Sequence, residues 1–304
     1  MDIQSFYEAD TGTWTHLLAD PGSGTAAVID PVWVFDPVTG FADAGFIEQV
    51  LAAAERSGYR IEWVLETHAH ADHLSAAEVL RARTGARVAC SQGIREVQRT
   101  FAPVFAMDGA APDGSQFDRL LREGDTLQLG ELEIRVIETP GHTADSISYC
   151  VGDAVFCGDT LFAPGYGTAR CDFPGGNAGR LYDSIQRLHA LPADTRIFLC
   201  HDYPKDGADP VCEVTVADSR SNNVHAHEGV SRAAFVEMRE SRDAELGLPR
   251  LIIPSLQVNI LAGREPEPEP NGVSYLRIPF NRSLNDLVHA SLRAERTHPA
   301  GDEE

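Results

Sequence analysis

The sequence predicts an α/β (α+β) fold: a four-layer αβ/βα sandwich over residues 1–203, with a C-terminal extension over 204–304 packed on it. Three observations predict this. Short β-like runs alternate with helical periodicities through the first two-thirds of the chain, the pattern of layered mixed domains. Those runs fall into two halves, each rich in ββα order. From about residue 204 the composition turns polar, and no second apolar core of adequate size follows. The 304 residues are 43% hydrophobic, enough to bury a substantial core.

In chain order, THLLAD and TAAVIDP are short β runs separated by Pro-Gly-Ser-Gly, a hairpin signal. FADAGFIEQVLAAAERSGY carries apolar residues at helical spacing and stops at a glycine. IEWVLETH is a short apolar strand, HLSAAEVLRARTG a helix, ARVACSQ a further strand. After a loop rich in Gly, Asp and Pro come LQLGELEIRVIETPGH, SISYCVGD and AVFCGDTLF, β runs broken by turns. GRLYDSIQRLHALP is a helix stopped by proline, and RIFLCH is one more buried strand. Beyond them lie a largely helical polar stretch, the Pro/Glu linker REPEPEPNG and the tail HPAGDEE, expected to be disordered.

Composition excludes several classes. The formal net charge is −21, which repels phosphate backbones and argues against nucleic-acid partners. No run approaches the roughly 18 apolar residues needed to span a bilayer, so no membrane association is expected. The N-terminus has neither a basic n-region nor an apolar h-region, and a cytoplasmic location is the expectation. Six cysteines occur with no C-x-x-C pair; Cys90, Cys150, Cys157 and Cys200 sit in apolar runs and read as small buried hydrophobes.

The chemistry is carried by Thr67-His68-Ala69-His70-Ala71-Asp72-His73, between a buried strand and a helix. Three imidazoles and a carboxylate so close together could not be buried cheaply without partners. At a strand-to-helix junction they can converge on one point, and they are ligand types for Zn²⁺, Fe²⁺ and Mn²⁺. Three further pieces follow in order: Gly141-His142-Thr143, Gly158-Asp159-Thr160-Leu161-Phe162 and Cys200-His201-Asp202-Tyr203. Each places a ligand-type side chain just past the end of a strand, where a rigid sheet supports functional loops. Any one piece is weak evidence; the four together are strong. On residue types alone, all seven ligand positions are filled, which favours two metals.

H-x-H-x-D-H, G-H-T, G-D-x-L-F and a histidine after the last strand resemble the metallo-β-lactamase superfamily over roughly residues 3–203. In that family His68, His70 and His142 would form one metal site; Asp72, His73 and His201 would form a second, with Asp159 able to bridge. The segment Arg170-Cys171-Asp172-Phe173 is similar to the R-T-D-F segment of persulfide dioxygenases, the ETHE1-like sulfur oxygenases. The resemblance implies oxidation of glutathione persulfide with O₂ to sulfite and glutathione, part of sulfur metabolism, at one Fe(II) per chain held by His68, His142 and Asp159. Two histidines and a carboxylate with an open face match the facial triad of Fe(II) oxygenases. His70, Asp72, His73 and His201 would then orient ligands, hold water or shuttle protons, with Asp72 and His201 as catalytic candidates. Arg170, Asp172 and Tyr203 would bind substrate; Arg170 could equally be an ion pair with Asp172. The departures are Cys171 in place of threonine, extra residues before Arg170 and the long C-terminal region. The competing reading is a glyoxalase II-type hydroxyacylglutathione thioester hydrolase with Zn(II) or a dinuclear site. A homodimer is the assembly expected.

Overall fold

The computed structural model describes residues 1–107, 111–204 and 207–297, the last seven of these by backbone alone. The tail expected to be disordered lies outside the described residues.

The first half holds β1 (Asp2–Glu8), β2 (Thr13–Asp20), β3 (Thr25–Ile29), β4 (Val32–Asp36), β5 (Phe41–Asp43), α1 (Gly45–Arg56), β6 (Arg60–Leu65), β7 (Leu74–Ser75), α2 (Ala77–Thr84), β8 (Arg87–Ser91), α3 (Ile94–Phe101) and β9 (Arg119–Leu121). The second half holds β10 (Thr126–Leu129), β11 (Leu132–Glu138), β12 (Ile147–Val151), β13 (Ala154–Phe156), α4 (Ala178–His189) and β14 (Arg196–Phe198). The extension adds β15 (Glu213–Thr215), α5 (Val216–Asn222), α6 (Arg232–Asp243), α7 (Ile252–Asn259) and α8 (Leu284–Thr297).

One sheet runs β1-β2-β3-β6-β8-β9 and the other β10-β11-β12-β13-β14-β15; β5-β4-β7 form a small third sheet. Strand alternation separates the layers. On β3, Ala27 and Ile29 face the opposite sheet, packing with Trp63, Leu65, Tyr149, Phe156 and Phe198. Ala26 and Val28 face the other way, onto Ile47 and Val50 of α1 and Leu80 of α2. On the second sheet Val155 and Ile197 turn outward onto Leu181, Ile185 and Leu188 of α4. Period-two burial on both faces of both sheets is what makes four layers.

The extension is not an appendage. β15 pairs with β14 as the edge of the second sheet, and α6 packs Phe235 into the core beneath α4. α7 and α8 bury Ile252, Leu256, Leu284 and Val288 against Phe101 and Phe105 around the end of α3. The helix α3, the strands β4, β5 and β7, and β15 are elements the sequence reading did not assign.

The two sheets also meet through His16 of β2. Its Nε2–H donates to the Leu199 carbonyl at 2.9 Å, and its Nδ1 sits 2.8 Å from Ser5 Oγ. Burial pulls its pKa down to about 4, against about 6.5 in an unfolded chain. Above pH 6.5 His16 is neutral in both states; as the pH falls from 6.5 to 4 the unfolded chain takes the proton and the folded one does not. Stability is expected to fall there by about 1.4 kcal/mol per pH unit from this group. Denaturant titrations between pH 7.5 and 5 check this: His16→Gln should reduce the slope by about one proton.

Candidate metal centre

Every sequence-predicted ligand lies at a strand end on one edge of the sandwich. His68, His70, Asp72 and His73 occupy the loop between β6 and β7; His142 follows β11, Asp159 follows β13 and His201 follows β14. Two glycines bring these loops close. Gly141 has φ of 145°, and a Cβ there would lie 2.2 Å from Leu181 N of α4. Gly158 has φ of 52°, and a Cβ there would lie 2.6 Å from Thr67 Oγ1. Only glycine permits both the conformation and the approach. Gly141→Ala is expected to lower stability by at least about 1–3 kcal/mol through overpacking, read by denaturant unfolding.

The donor atoms of His68, His142 and Asp159 lie within 4.8 Å of one another, and all three residues are buried. His142 Nε2 is 3.5 Å from Asp159 Oδ2. A second set with the same spacing is His70, His73, Cys200 and His201; a third is Asp30, Glu66 and His70. Asp72 Oδ2 lies 3.1 Å and Asp159 Oδ1 3.4 Å from His201 Nε2, so Asp159 faces both histidine groups.

The imidazoles are oriented from behind. His142 Nδ1–H donates to the Arg170 carbonyl at 2.7 Å. His68 Nδ1 meets Thr67 Oγ1 at 3.0 Å, and that hydroxyl donates on to Asp30 Oδ2 at 2.9 Å. His73 Nδ1–H donates to the Leu74 carbonyl, His201 Nδ1–H to the Gly12 carbonyl, and His70 Nε2–H to Asp30 Oδ1 at 3.0 Å. A hydrogen bond at the far nitrogen selects the tautomer whose near nitrogen carries a lone pair. Among the described residues, His68 Nε2, His70 Nδ1, His73 Nε2, His201 Nε2 and Asp159 Oδ1 are buried without a hydrogen-bond partner. Buried polar atoms are ordinarily satisfied. These five orphans, all of metal-ligand type and divided between the first two donor sets, fit bound metal.

Electrostatics separates the histidines. Burial, then the neighbouring imidazoles, push His68 well below its ordinary pKa; the same causes take His73 to about 3. Burial also disfavours the His70 cation, but Asp30 and Glu66 around Nε2 outweigh it and raise His70 well above its usual value. Burial raises Asp72, yet His201 and His73 overcome that and hold its carboxyl at about 2.

Asp30 is the functional residue the sequence reading missed. It is 2% exposed, adopts φ of 50°, and accepts from Thr67 N and Oγ1 and from His70 Nε2. Asp145 is similar: its Oδ2 accepts from Ala69 N at 2.9 Å and so fixes the loop of the histidine motif. The local signal for Asp30 was an Asp-Pro step after a buried strand, which reads equally as a turn.

Over the donors opens a cavity of about 570 Å³, lined by Asp72, His142, Asp159, Phe173 and Tyr203 and by four arginines. Tyr203 stacks on His201 with 4° between the ring planes, and burial keeps its phenol protonated. Arg170 donates Nε and Nη2 to Asp172 and Nη1 to the Gly247 carbonyl. Two of its five N–H groups are left. Cys171 is buried, and burial, then Asp243, raise its thiol far above the ordinary range.

Comparison with known proteins gives a consistent picture. The sequence profile described as Metallo-beta-lactamase superfamily matches residues 13–201. A relative from Burkholderia pseudomallei (strain 1710b), named "Probable metallo-hydrolase", is 48% identical over 292 residues, 92% of this chain and 99% of the relative. Glyoxylase B2 of Dictyostelium discoideum is 39% identical over 282 residues, 92% of this chain and 97% of that one. Among solved structures, ETHE1 from Myxococcus xanthus superposes with a TM-score of 0.70 at 32% identity, covering 87% of this chain and 100% of the other. No helix among the described residues is long and apolar enough to cross a membrane.

Proposed function

This chain belongs to the metallo-β-lactamase superfamily, and from that premise we propose that it is a persulfide dioxygenase, oxidising glutathione persulfide with O₂ and water to sulfite and glutathione. The observation that carries this reading is the three-donor cluster of His68, His142 and Asp159, which excludes His70 and opens on a cavity rich in arginine. Two histidines and one carboxylate are the donor set of mononuclear non-haem iron oxygenases. The likeness to ETHE1 from Myxococcus xanthus supports the same branch.

Iron held by these three residues would supply a site at which the persulfide sulfur and O₂ can be brought together. The chain does the rest. Phe173 packs edge-on against His142 and Phe162 edge-on against His201, shielding the donors from water. Asp72, 28% exposed, faces the cavity beside His201 Nε2 and is placed to orient that imidazole and to hold water at the cavity surface. Tyr203 can donate its phenolic hydrogen to substrate. Arg170, clamped by Asp172 and the Gly247 carbonyl, shapes the cavity wall beside His142.

The second reading is a glyoxalase II-type thioester hydrolase with a dinuclear site. The second donor set and the likeness to Glyoxylase B2 favour it. Asp72→Ala and His201→Ala discriminate. Under the dioxygenase reading each retains most of the iron and loses about 10–100-fold in turnover, as groups behind the ligands do. Metal quantification on anaerobically purified protein, paired with oxygen uptake on glutathione persulfide, checks this. Two ions per chain and thioester hydrolysis without oxygen uptake would establish the hydrolase instead.

A further inference from the structure

The cavity above the metal donors has a wall contributed by the C-terminal extension: Arg242, Leu246, Pro249 and Arg250 line it together with His142 and Asp159. The whole chain carries a net charge of −21, yet four guanidinium groups gather here. They divide into two pairs. Arg239 is 3% exposed and gives Nε and Nη2 to Asp243 and Nη1 to the Thr168 carbonyl. Arg170 is held in the same manner by Asp172 and Gly247. These two are braced and neutralised by their own carboxylates.

Arg242 and Arg250 are different. Both are exposed, and among the described residues their guanidinium groups donate no hydrogen bond and form no ion pair. Arg250 helps to hold the Asp36 carboxyl low, so its charge is partly answered; in a protein this acidic, two arginines without hydrogen bonds beside a reaction centre still mark where the field turns positive. Asp10 and Thr11, from the turn between β1 and β2, also line the cavity. The cavity therefore carries cationic and acidic groups together, beside the donors of His142 and Asp159.

We propose that Arg242 and Arg250 determine substrate specificity by binding the carboxylates of a peptide thiol carrier, while Asp10 meets its ammonium group. This rests on the persulfide reading above and deepens it. Glutathione has the complementary charge pattern, two carboxylates and one ammonium around a central thiol, and guanidinium forks match carboxylates bidentately. The extension is then the part of the chain that selects which thiol carries the sulfane sulfur.

The test compares kcat/KM for glutathione persulfide with that for N-acetylcysteamine persulfide, which has no carboxylate. Wild type, Arg242→Ala, Arg250→Ala and the double variant are measured by oxygen uptake in iron-loaded protein. Wild type is expected to prefer glutathione persulfide, and each substitution to reduce that preference by about tenfold, chiefly through KM. The lysine variants should recover part of it, retaining charge without the fork. An unchanged preference in the double variant would overturn the proposal. So would an equal loss on both persulfides, which would mark a general effect on the cavity. Titration calorimetry with glutathione itself separates this proposal from the reaction. If no persulfide is oxidised but glutathione binding weakens about tenfold in each variant, the reaction assignment fails and the carrier site stands. If persulfide is oxidised and glutathione binding is indifferent to both arginines, the carrier site fails alone.

Discussion

His142→Ala is expected to leave a folded protein that has lost its metal and nearly all of its activity. His142 supplies one of three convergent donors, and nothing near it can replace that donor. Its Nδ1–H is committed to the Arg170 carbonyl, so Nε2 is presented in one direction only, toward Asp159. Groups that merely orient ligands cost about 10–100-fold when removed; losing a ligand outright should exceed that, more than about a hundredfold in metal affinity. Folding should survive, because the imidazole lies at a loop above the sheet and takes no part in the core between the sheets. His68→Ala and Asp159→Ala should behave alike, whereas Asp30→Ala should show the smaller effect of a group acting through Thr67 and His70. Metal content measured beside a thermal melt checks all four. Full metal and full turnover in His142→Ala would place the centre elsewhere.

The second large effect is expected at a pair that holds no metal, Arg239 and Asp243 on α6. This pair is buried, with 3% and 6% of the two side chains exposed, and its closest contact is 2.7 Å. Asp243 Oδ2 also accepts from Cys171 N at 2.8 Å, and Arg239 Nη1 donates to the Thr168 carbonyl. Removing either partner strands a buried charge, and Arg239→Ala should cost about 3–5 kcal/mol in denaturant unfolding. Replacing both together by Met and Leu should cost less than either single change, since the charges leave as a pair and only the Cys171 N–H and the Thr168 carbonyl lose partners. The double variant should nonetheless bind metal more weakly. The segment from Thr168 to Cys171 contains the carbonyl of Arg170 that orients His142, and an apolar pair cannot hold that segment by hydrogen bonds. Wild-type metal affinity in the double variant would show that α6 acts on stability alone.

The ligands were legible in the sequence because metal chemistry admits few residue types and because strand-end loops keep them in short, recognisable clusters. The four-layer order was legible because strands buried on both faces, such as β3 and β13, read as short apolar runs interleaved with helical periodicities. What lay behind the ligands was not legible. Asp30 reaches Thr67 and His70 from another strand, and Asp145 reaches Ala69 from the other sheet. Such contacts depend on three-dimensional proximity, and a single aspartate carries no periodicity to betray it. α3 hid in a stretch read as loop, although Ile94, Gln98 and Phe101 share its buried face. β15 has three residues, too short for alternation to register. Arg242 sat in a stretch read only as polar and largely helical, and Arg250 just beyond it. Their significance comes from the cavity they border, which exists only after α6 has docked.

His68, His70, Asp72 and His73 hang from the first sheet, and His142, Asp159 and His201 from the second; Thr13 and His201 form the single described β-bridge that joins them. No local segment of the unfolded chain therefore holds a complete set of donors. The ion cannot act as a folding nucleus, as it does in small zinc modules where metal and fold arrive together. It is a late ligand that binds only the finished sandwich, and it stabilises that state by mass action. Any opening that parts the two sheets at the Thr13–His201 seam would disperse the donors at once, so sheet separation releases the metal, although the metal can also leave an intact sandwich through the cavity.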